Sequence, residues 1–192
     1  WIRLYTEFSI HEGVLHDMQY PEIILEKLDF RFEDNELSIP APIRAKKAAR
    51  LIKEAKGFYQ SLFLSIHHKQ KKNLHLNLAE KRVAELYKHI HDQNKFLTAS
   101  YKKRIRLQRG LKERFMEGLV YSGRYLSVME KIFKDASIPI ELTRIPFVES
   151  SFNLKARSKV GASGIWQFMR GTGKLYLKVN QAIDERNDPI LA

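Results

Sequence analysis

Ser137-Ile138-Pro139-Ile140-Glu141-Leu142-Thr143-Arg144-Ile145-Pro146-Phe147-Val148-Glu149-Ser150-Ser151-Phe152-Asn153 is the stretch from which the chain is best read. Ser137 or Ile138 before Pro139, with Glu141 in the first turn, predicts a helix start. Leu142, Ile145 and Val148 follow at helical spacing and carry that helix to Glu149-Ser150. Pro146 lies inside it and predicts a kink or a short helix. Glu149 is therefore expected at the negative end of a helix dipole, among Phe147, Val148 and Phe152. Both surroundings disfavour the anion, and an acid that keeps its proton near neutral pH can serve as a general acid. The plainer alternative is an exposed carboxylate at a helix end.

Downstream, residues 161–173 hold four of the nine glycines, a change in backbone style. Gly161-Ala162-Ser163-Gly164 reads as a tight turn that lets backbone approach closely, or as the start of a helix joining two others. Trp166, Phe168 and Met169 suit a core. Gln167 between aromatics is odder, because a buried amide needs partners; a sugar hydroxyl or an acetamido group would supply them. Ser150 and Ser151 either cap the next segment or hydrogen-bond a ligand.

Upstream, helices dominate. Ala48, Ile52, Ala55, Tyr59, Leu62 and Ile66 form one buried stripe of a helix over 43–70. His67 to Asn73 is a polar break. A second helix is expected from about Asn77 to His91, with Val83, Leu86, Tyr87 and Ile90 inward. A third is expected from Thr98 or Ser100 through Leu107, Leu111, Phe115 and Leu119, broken at Ser122-Gly123. A fourth has Leu126, Met129, Ile132 and Phe133 on one face. Residues 1–10 read as a short helix or ordered arm. Gly13 to Asp17 and Glu22 to Leu28 are β-rich runs around Met18-Gln19-Tyr20-Pro21, which suggests a hairpin that must pack on something. Asp29 to Pro42 is polar with two prolines, a linker or loop. The fold class is mainly α: a helical N-terminal region with a small β-hairpin over 1–137, then a further helical domain over 138–192.

The 192 residues suffice for a real core, with 44% hydrophobic and 29% charged residues. The absence of Cys excludes disulfides and Cys-based nucleophiles or metal sites. No apolar run is long enough to span a bilayer. Residues 1–40 carry 3 Lys/Arg against 9 Asp/Glu, whereas residues 41–120 carry 20 against 6. This basic middle suits an anionic polymer or lipid headgroups. Its densest part, Lys102 to Arg109, is expected to be a solvated helix face, since no aromatic interleaving for base stacking accompanies it; no nucleic-acid partner is expected. His67, His68, His75, His89 and His91 lack a carboxylate at metal-site spacing, so no metal and no cofactor are expected. His16-Asp17 is read as ordering the hairpin turn rather than as an acid–base pair. The chain opens at Trp1, which predicts a processed or trimmed start. Its end reads as the beginning of another helix, with Asp188 as N-cap and Pro189 at the first position, so the chain is expected to stop inside a domain.

Glu149-Ser150, Asn153, Ala156, Ser158, Gly161-Ala162, Gly164-Ile165-Trp166-Gln167-Phe168-Met169 and Thr172-Gly173, in this order and spacing, resemble the lytic transglycosylase SLT domain of glycoside hydrolase family 23. The Trp-Gln-Phe-Met wording, with Asp184-Glu185-Arg186 and Asp188-Pro189, is similar to one membrane-bound subgroup. The resemblance covers roughly residues 138–192. It implies the first part of a lysozyme-like α domain and cleavage of the β-1,4 bond between N-acetylmuramic acid and N-acetylglucosamine, with a 1,6-anhydro product. It implies Glu149 as acid and then base, Ser150, Gln167, Phe168 and Met169 as substrate-binding residues, and Trp166 as a wall support. It also implies peptidoglycan glycan strands as partner and a periplasmic or outer-membrane-associated place in a Gram-negative bacterium; membrane or cell-wall association and oligomeric state stay open. The lack of any further acid between Glu149 and Asp184 fits a single-carboxylate reaction, unlike the usual carboxylate pair. Three departures stand out: Arg170 replaces the usual Pro, Tyr176-Leu177 replaces Tyr-Gly, and the family's later Ala-Tyr-Asn segment is absent. The alternative class is a non-catalytic relative that binds glycan or scaffolds a complex.

Overall fold

The computed structural model describes residues 2–32 and 38–192. The chain is mainly α, as expected. It divides into two compact units, Trp1–Gly110 and Leu111–Ala192.

The first unit is built on a three-stranded antiparallel sheet. Strand β1 (Glu12–Asp17) lies between β2 (Ile24–Asp29) and β3 (Ile105–Arg109). The expected hairpin is present, with Gly13 opposite Leu28 and a register shift at Leu15/His16. A short helix α1 (Ile2–Thr6) precedes it. Asp17 is buried and orders the turn, as expected: its carboxylate accepts from the Gln19 and Tyr20 amides at 2.7 and 3.2 Å. It also takes the Tyr87 hydroxyl at 2.8 Å and the Arg104 guanidinium at 2.8 and 2.9 Å.

Helix α2 (Ala41–Lys71) lies on the sheet. Its stripe is the one expected, with Ala48, Tyr59, Leu62 and Ile66 buried. The polar break begins later than expected, because the helix runs through His67 and His68. It ends where Asn73 adopts φ 52° while the Asn73 and Leu74 amides donate to the Gln70 and Lys69 carbonyls, a left-handed C-terminal cap. Helix α3 (Leu78–Leu86) starts at a capping box, Asn77 with Glu80. It is shorter than expected, and Leu86 is exposed. Helix α4 (Lys95–Ala99) follows. Phe63, Tyr87 and Phe96 close the core with ring centroids 5.4–6.3 Å apart, each ring contributing about 2–3 kcal/mol by burial.

The long helix expected from Thr98 or Ser100 to Leu119 is not formed. The chain makes α4, then β3, then helix α5 (Lys112–Ser122). Ile105 and Leu107 point inward because they are two apart on a strand, not because they share a helical face. Strand β3 pairs the free side of β1, Gly13 to Asp17 against Arg109 to Ile105. The basic stretch is thereby a loop and a strand, not a helix face. Of the loop expected over Asp29–Pro42, residues 33–37 lie outside the described residues, as does Trp1. Among the described residues no helix is long and apolar enough to cross a membrane.

The second unit contains α5, helix α6 (Leu126–Asp135), a 3₁₀ turn (Ile140–Arg144) that runs into helix α7 (Ile145–Glu149), helix α8 (Arg170–Tyr176) and a 3₁₀ turn (Glu185–Asn187). The break at Ser122-Gly123 is where expected. Met129, Phe152 and Ile165 form its core, with Tyr125, Leu126, Phe147, Leu154 and Trp166 against them. Asp188 caps the last turn, accepting from the Ile190 and Leu191 amides.

Candidate functional site

Pro139 and Pro146 shape the segment that presents Glu149. Pro139 precedes the 3₁₀ turn, and Pro146 sits in the first turn of α7, where its missing N–H costs no bond. The result is the short helix expected, ending at Glu149. The inward side is Thr143 and Pro146; Leu142, Ile145 and Val148 are exposed. Glu149 is also exposed and has no hydrogen-bond or ion-pair partner among the described residues. The expected packing of this carboxyl among Phe147, Val148 and Phe152 is therefore corrected. Phe152 turns into the core at 1% exposure, Phe147 packs on it edge-on at 4.6 Å, and Val148 points to solvent.

The turn after Glu149 is strained. Ser151 and Phe152 both take left-handed backbone, φ 52° and 54°, a costly conformation for residues with side chains. What holds it is packing. A Cβ on Gly118 of α5 would lie 2.9 Å from the Ser151 carbonyl oxygen, and Phe115 of α5 packs on Phe147 at 5.5 Å. Ser150 is half-buried. Its hydroxyl donates to the Ile165 carbonyl at 2.8 Å and lies 3.2 Å from that of Pro146. This bond joins the end of α7 to the glycine-rich segment.

That segment is a loop. Ser163 bridges to Arg157 on one side and to Phe168 on the other. Gly164, at φ 78°, has no room for a side chain: a Cβ would fall 1.7 Å from the Arg186 carbonyl oxygen. Gln167 finds its amide partners in backbone, donating to the Gly164 and Ala156 carbonyls at 2.7 and 3.1 Å. It too is left-handed, at φ 53°. Trp166 stacks on Phe133 at 5.9 Å, nearly parallel, and its buried indole nitrogen has no hydrogen-bond partner among the described residues. Phe168 is half-buried and Met169 is 44% exposed.

Arg186 holds this loop, and nothing local in the sequence marked it for that task. It is 4% exposed. Its guanidinium donates to the Gly161 and Phe168 carbonyls at 3.0 and 2.9 Å and grips Asp184 through two bonds of 2.8 and 2.7 Å. The Arg186 guanidinium holds the Asp184 carboxyl below its usual range, and Asp184 raises Arg186 in turn. Ser163 adds a 2.6 Å bond to Asn187. Other acids nearby are committed, Glu130 to Arg144, Glu185 to the Lys178 amide and Asp188 to its cap, whereas Asp135 and Glu141 are exposed. Among the described residues no group of three His, Cys, Asp or Glu side chains is placed to hold a metal ion.

The arrangement offers the exposed Glu149 carboxyl, at the end of α7, tied through Ser150 to a braced loop that carries an amide, a thioether and two aromatic rings. Residues 128–192 match the transglycosylase SLT domain family. Two similar proteins, both called membrane-bound lytic murein transglycosylase D, come from Escherichia coli strain K12 and from Escherichia coli O6:H1 strain CFT073. Each is 41% identical over 58 residues, which cover 30% of this chain and 13% of the relative. The chain thus spans only a small part of the length of the curated relatives it matches. No solved structure matches it.

Proposed function

We propose that the SLT-type segment at 128–192 serves a peptidoglycan lytic transglycosylase, with Glu149 as its acid and base. Glu149 in its protonated form donates to the glycosidic oxygen between N-acetylmuramic acid and N-acetylglucosamine. The bond from the muramoyl C1 to that oxygen breaks, and the N-acetylglucosamine side leaves as an alcohol. The muramoyl C6 hydroxyl then closes on C1 while the Glu149 carboxylate takes its proton. The product is a 1,6-anhydro sugar, Glu149 is restored and no water is consumed. Gln167, Phe168 and Met169 line the glycan subsites, and Ser150 fixes the acid's end of α7 to the loop that carries them.

The observation that carries this reading is the place of Glu149, which ends α7 directly before Ser150, whose hydroxyl is bonded to the Ile165 carbonyl of the loop that carries Gln167, Phe168 and Met169. Glu130, Asp184, Glu185 and Asp188 have structural partners; of the segment's acids without one among the described residues, Asp135, Glu141 and Glu149, only Glu149 adjoins that tie, and one carboxyl is all this reaction needs. A bound glycan strand would supply the desolvation that the exposed carboxyl lacks. On the domain plan, residues 138–192 form the first part of a lysozyme-like domain, and 1–137 form the arm, hairpin and helical region. The name and organism of the relatives support a periplasmic or outer-membrane-associated place in a Gram-negative bacterium.

The exposure of Glu149 favours a second reading, a glycan-binding or scaffolding relative that does not cleave. Purified sacculi treated with the full-length protein separate the two. Anhydromuropeptides detected by mass spectrometry and lost in Glu149→Gln establish cleavage. Sacculus binding with no such product, or equal product from the variant, leaves the binder.

A further inference from the structure

The outer face of the three-stranded sheet in the first unit carries a groove of about 480 Å³, closed on one side by α1 and the residues after it. Its volume lies in the range of small-molecule sites. Its apolar lining includes Phe8, Val14 and Ile24, and five polar side chains join it: Arg3, His16, Glu22, Arg106 and Gln108. Register places two of these, His16 and Arg106, side by side. His16 of β1 faces Arg106 of β3 and, on its other side, Ile24 of β2.

Arg106 is not paired with an acid as several of its fellow arginines are. In the first unit Arg3, Arg31, Arg50 and Arg104 bond to Glu7, Asp29, Glu54 and Asp17. Arg106 has no acidic partner among the described residues, nor has Glu22 a basic one. The His16 ring donates from Nδ1 to the Asp17 carbonyl at 2.9 Å, which leaves Nε2 to accept a hydrogen bond. A guanidinium is a fork for a carboxylate. Adjacent strands lie about 4.8 Å apart, so the row from Arg106 across His16 to Ile24 spans about 10 Å. Three extended residues cover that length. Glu22, two residues before Ile24, stands at the end opposite Arg106.

We propose that this groove binds a short peptide of about three residues: free C-terminal carboxylate on Arg106, one peptide N–H on His16 Nε2, apolar side chains on Val14 and Ile24, and a basic group on Glu22. The source is the stem peptide of peptidoglycan, an assignment that rests on the function proposed above. The groove would then hold an uncrosslinked stem peptide on a surface made entirely of the first unit, without part in bond cleavage.

The test is an NMR titration of the full chain with Ala-Ala-Ala, with its C-terminal amide, and with the same tripeptide ending in two D-alanines. The expected result is perturbation of His16 and Arg106 by the acids, at least tenfold weaker binding of the amide, and tighter binding of the D-ended form. Arg106→Gln should weaken the acids at least tenfold, Arg106→Lys less, and Arg50→Gln on α2 not at all. Equal affinity for acid and amide, or no perturbation at millimolar peptide, overturns the site. Tighter binding of the all-L form overturns the stem-peptide source. Since no catalysis is read, loss of sacculus cleavage in a separate assay bears on Glu149 and not on the groove.

Discussion

The hydroxyl of Ser150, the residue after the proposed acid, is bonded to the carbonyl of Ile165, 15 positions along the chain. It joins the end of α7 to the loop carrying Gln167 and Phe168. A proton donor must sit within about 3 Å of the oxygen it serves, so such a tie is as important as the acid. Substituting Glu149 with Gln should lower sacculus cleavage by about 10²–10⁴-fold while leaving the urea midpoint unchanged, since the Glu149 carboxyl has no partner among the described residues. A variant that keeps more than a tenth of the activity would remove Glu149 from the chemistry.

Gly118 lets α5 press on the strained turn. A methyl group there would meet the Ser151 carbonyl at 2.9 Å, and overpacking of this kind costs about 1–3 kcal/mol. Gly118→Ala should lower stability by that amount and reduce cleavage more than binding, because the strained Ser151–Phe152 backbone that sets the Glu149 end of α7 must shift. Urea unfolding with parallel sacculus binding and product assays checks this. An unchanged variant would show that the turn holds itself.

Arg186 is the loop's main staple. Arg186→Lys loses the two-bond grip on Asp184 and at least one carbonyl, at a cost of about 3 kcal/mol or more. The pH dependence follows from the same pair. Asp184 is held below its ordinary value by Arg186, so this contribution to stability is complete above about pH 4 and is lost as pH falls through the folded value. Stability measured from pH 6 to pH 2 should show that loss in the parent chain and a flatter profile in Arg186→Lys. Parallel profiles would count against the pair.

Glu80 supplies the equivalent test in the first unit. It is 1% exposed, and the Lys69 ammonium above all, then Ser65 and the Asn77 amide, hold its carboxyl at about 2 against an ordinary 4.5. A lowered value means stability present above pH 4.5 and lost as pH falls toward 2. Glu80→Gln should remove most of that acid-dependent loss, and Glu80→Ala should cost about 3 kcal/mol at neutral pH by leaving Lys69 without its partner. Fluorescence-detected urea curves at several pH values separate these outcomes.

Features that depend on neighbours a few residues apart were legible in the sequence. The stripe from Ala48 to Ile66, the helix start at about Asn77, the hairpin turn at Asp17 and the proline-shortened α7 are of this kind. Strand β3 was not, because Leu107 also stands four residues before Leu111 and so fits a helical spacing that continues to Phe115 and Leu119. Its true partner, β1, is some 90 residues away, and no local period reports such a pairing. The sequence left Glu149 open between a packed and an exposed carboxyl, and the role of Arg186 escaped it, for a related reason. Burial is decided by what packs from elsewhere, and bonds to the Gly161 and Phe168 carbonyls have no residue-type signature. Gln167 was correctly marked as an amide in need of partners; those partners are backbone carbonyls of its own loop.

Trp166 is one of two tryptophans in the chain, the other being Trp1. Its indole is stacked on Phe133 and its nitrogen is buried without an acceptor among the described residues. In a Trp1→Phe background the intrinsic emission therefore arises from a single ring at the base of the Ser163–Phe168 loop. An acceptor brought within reach of that nitrogen would shift its emission to longer wavelength, so the protein carries its own optical gauge of whether that loop is empty, filled or displaced.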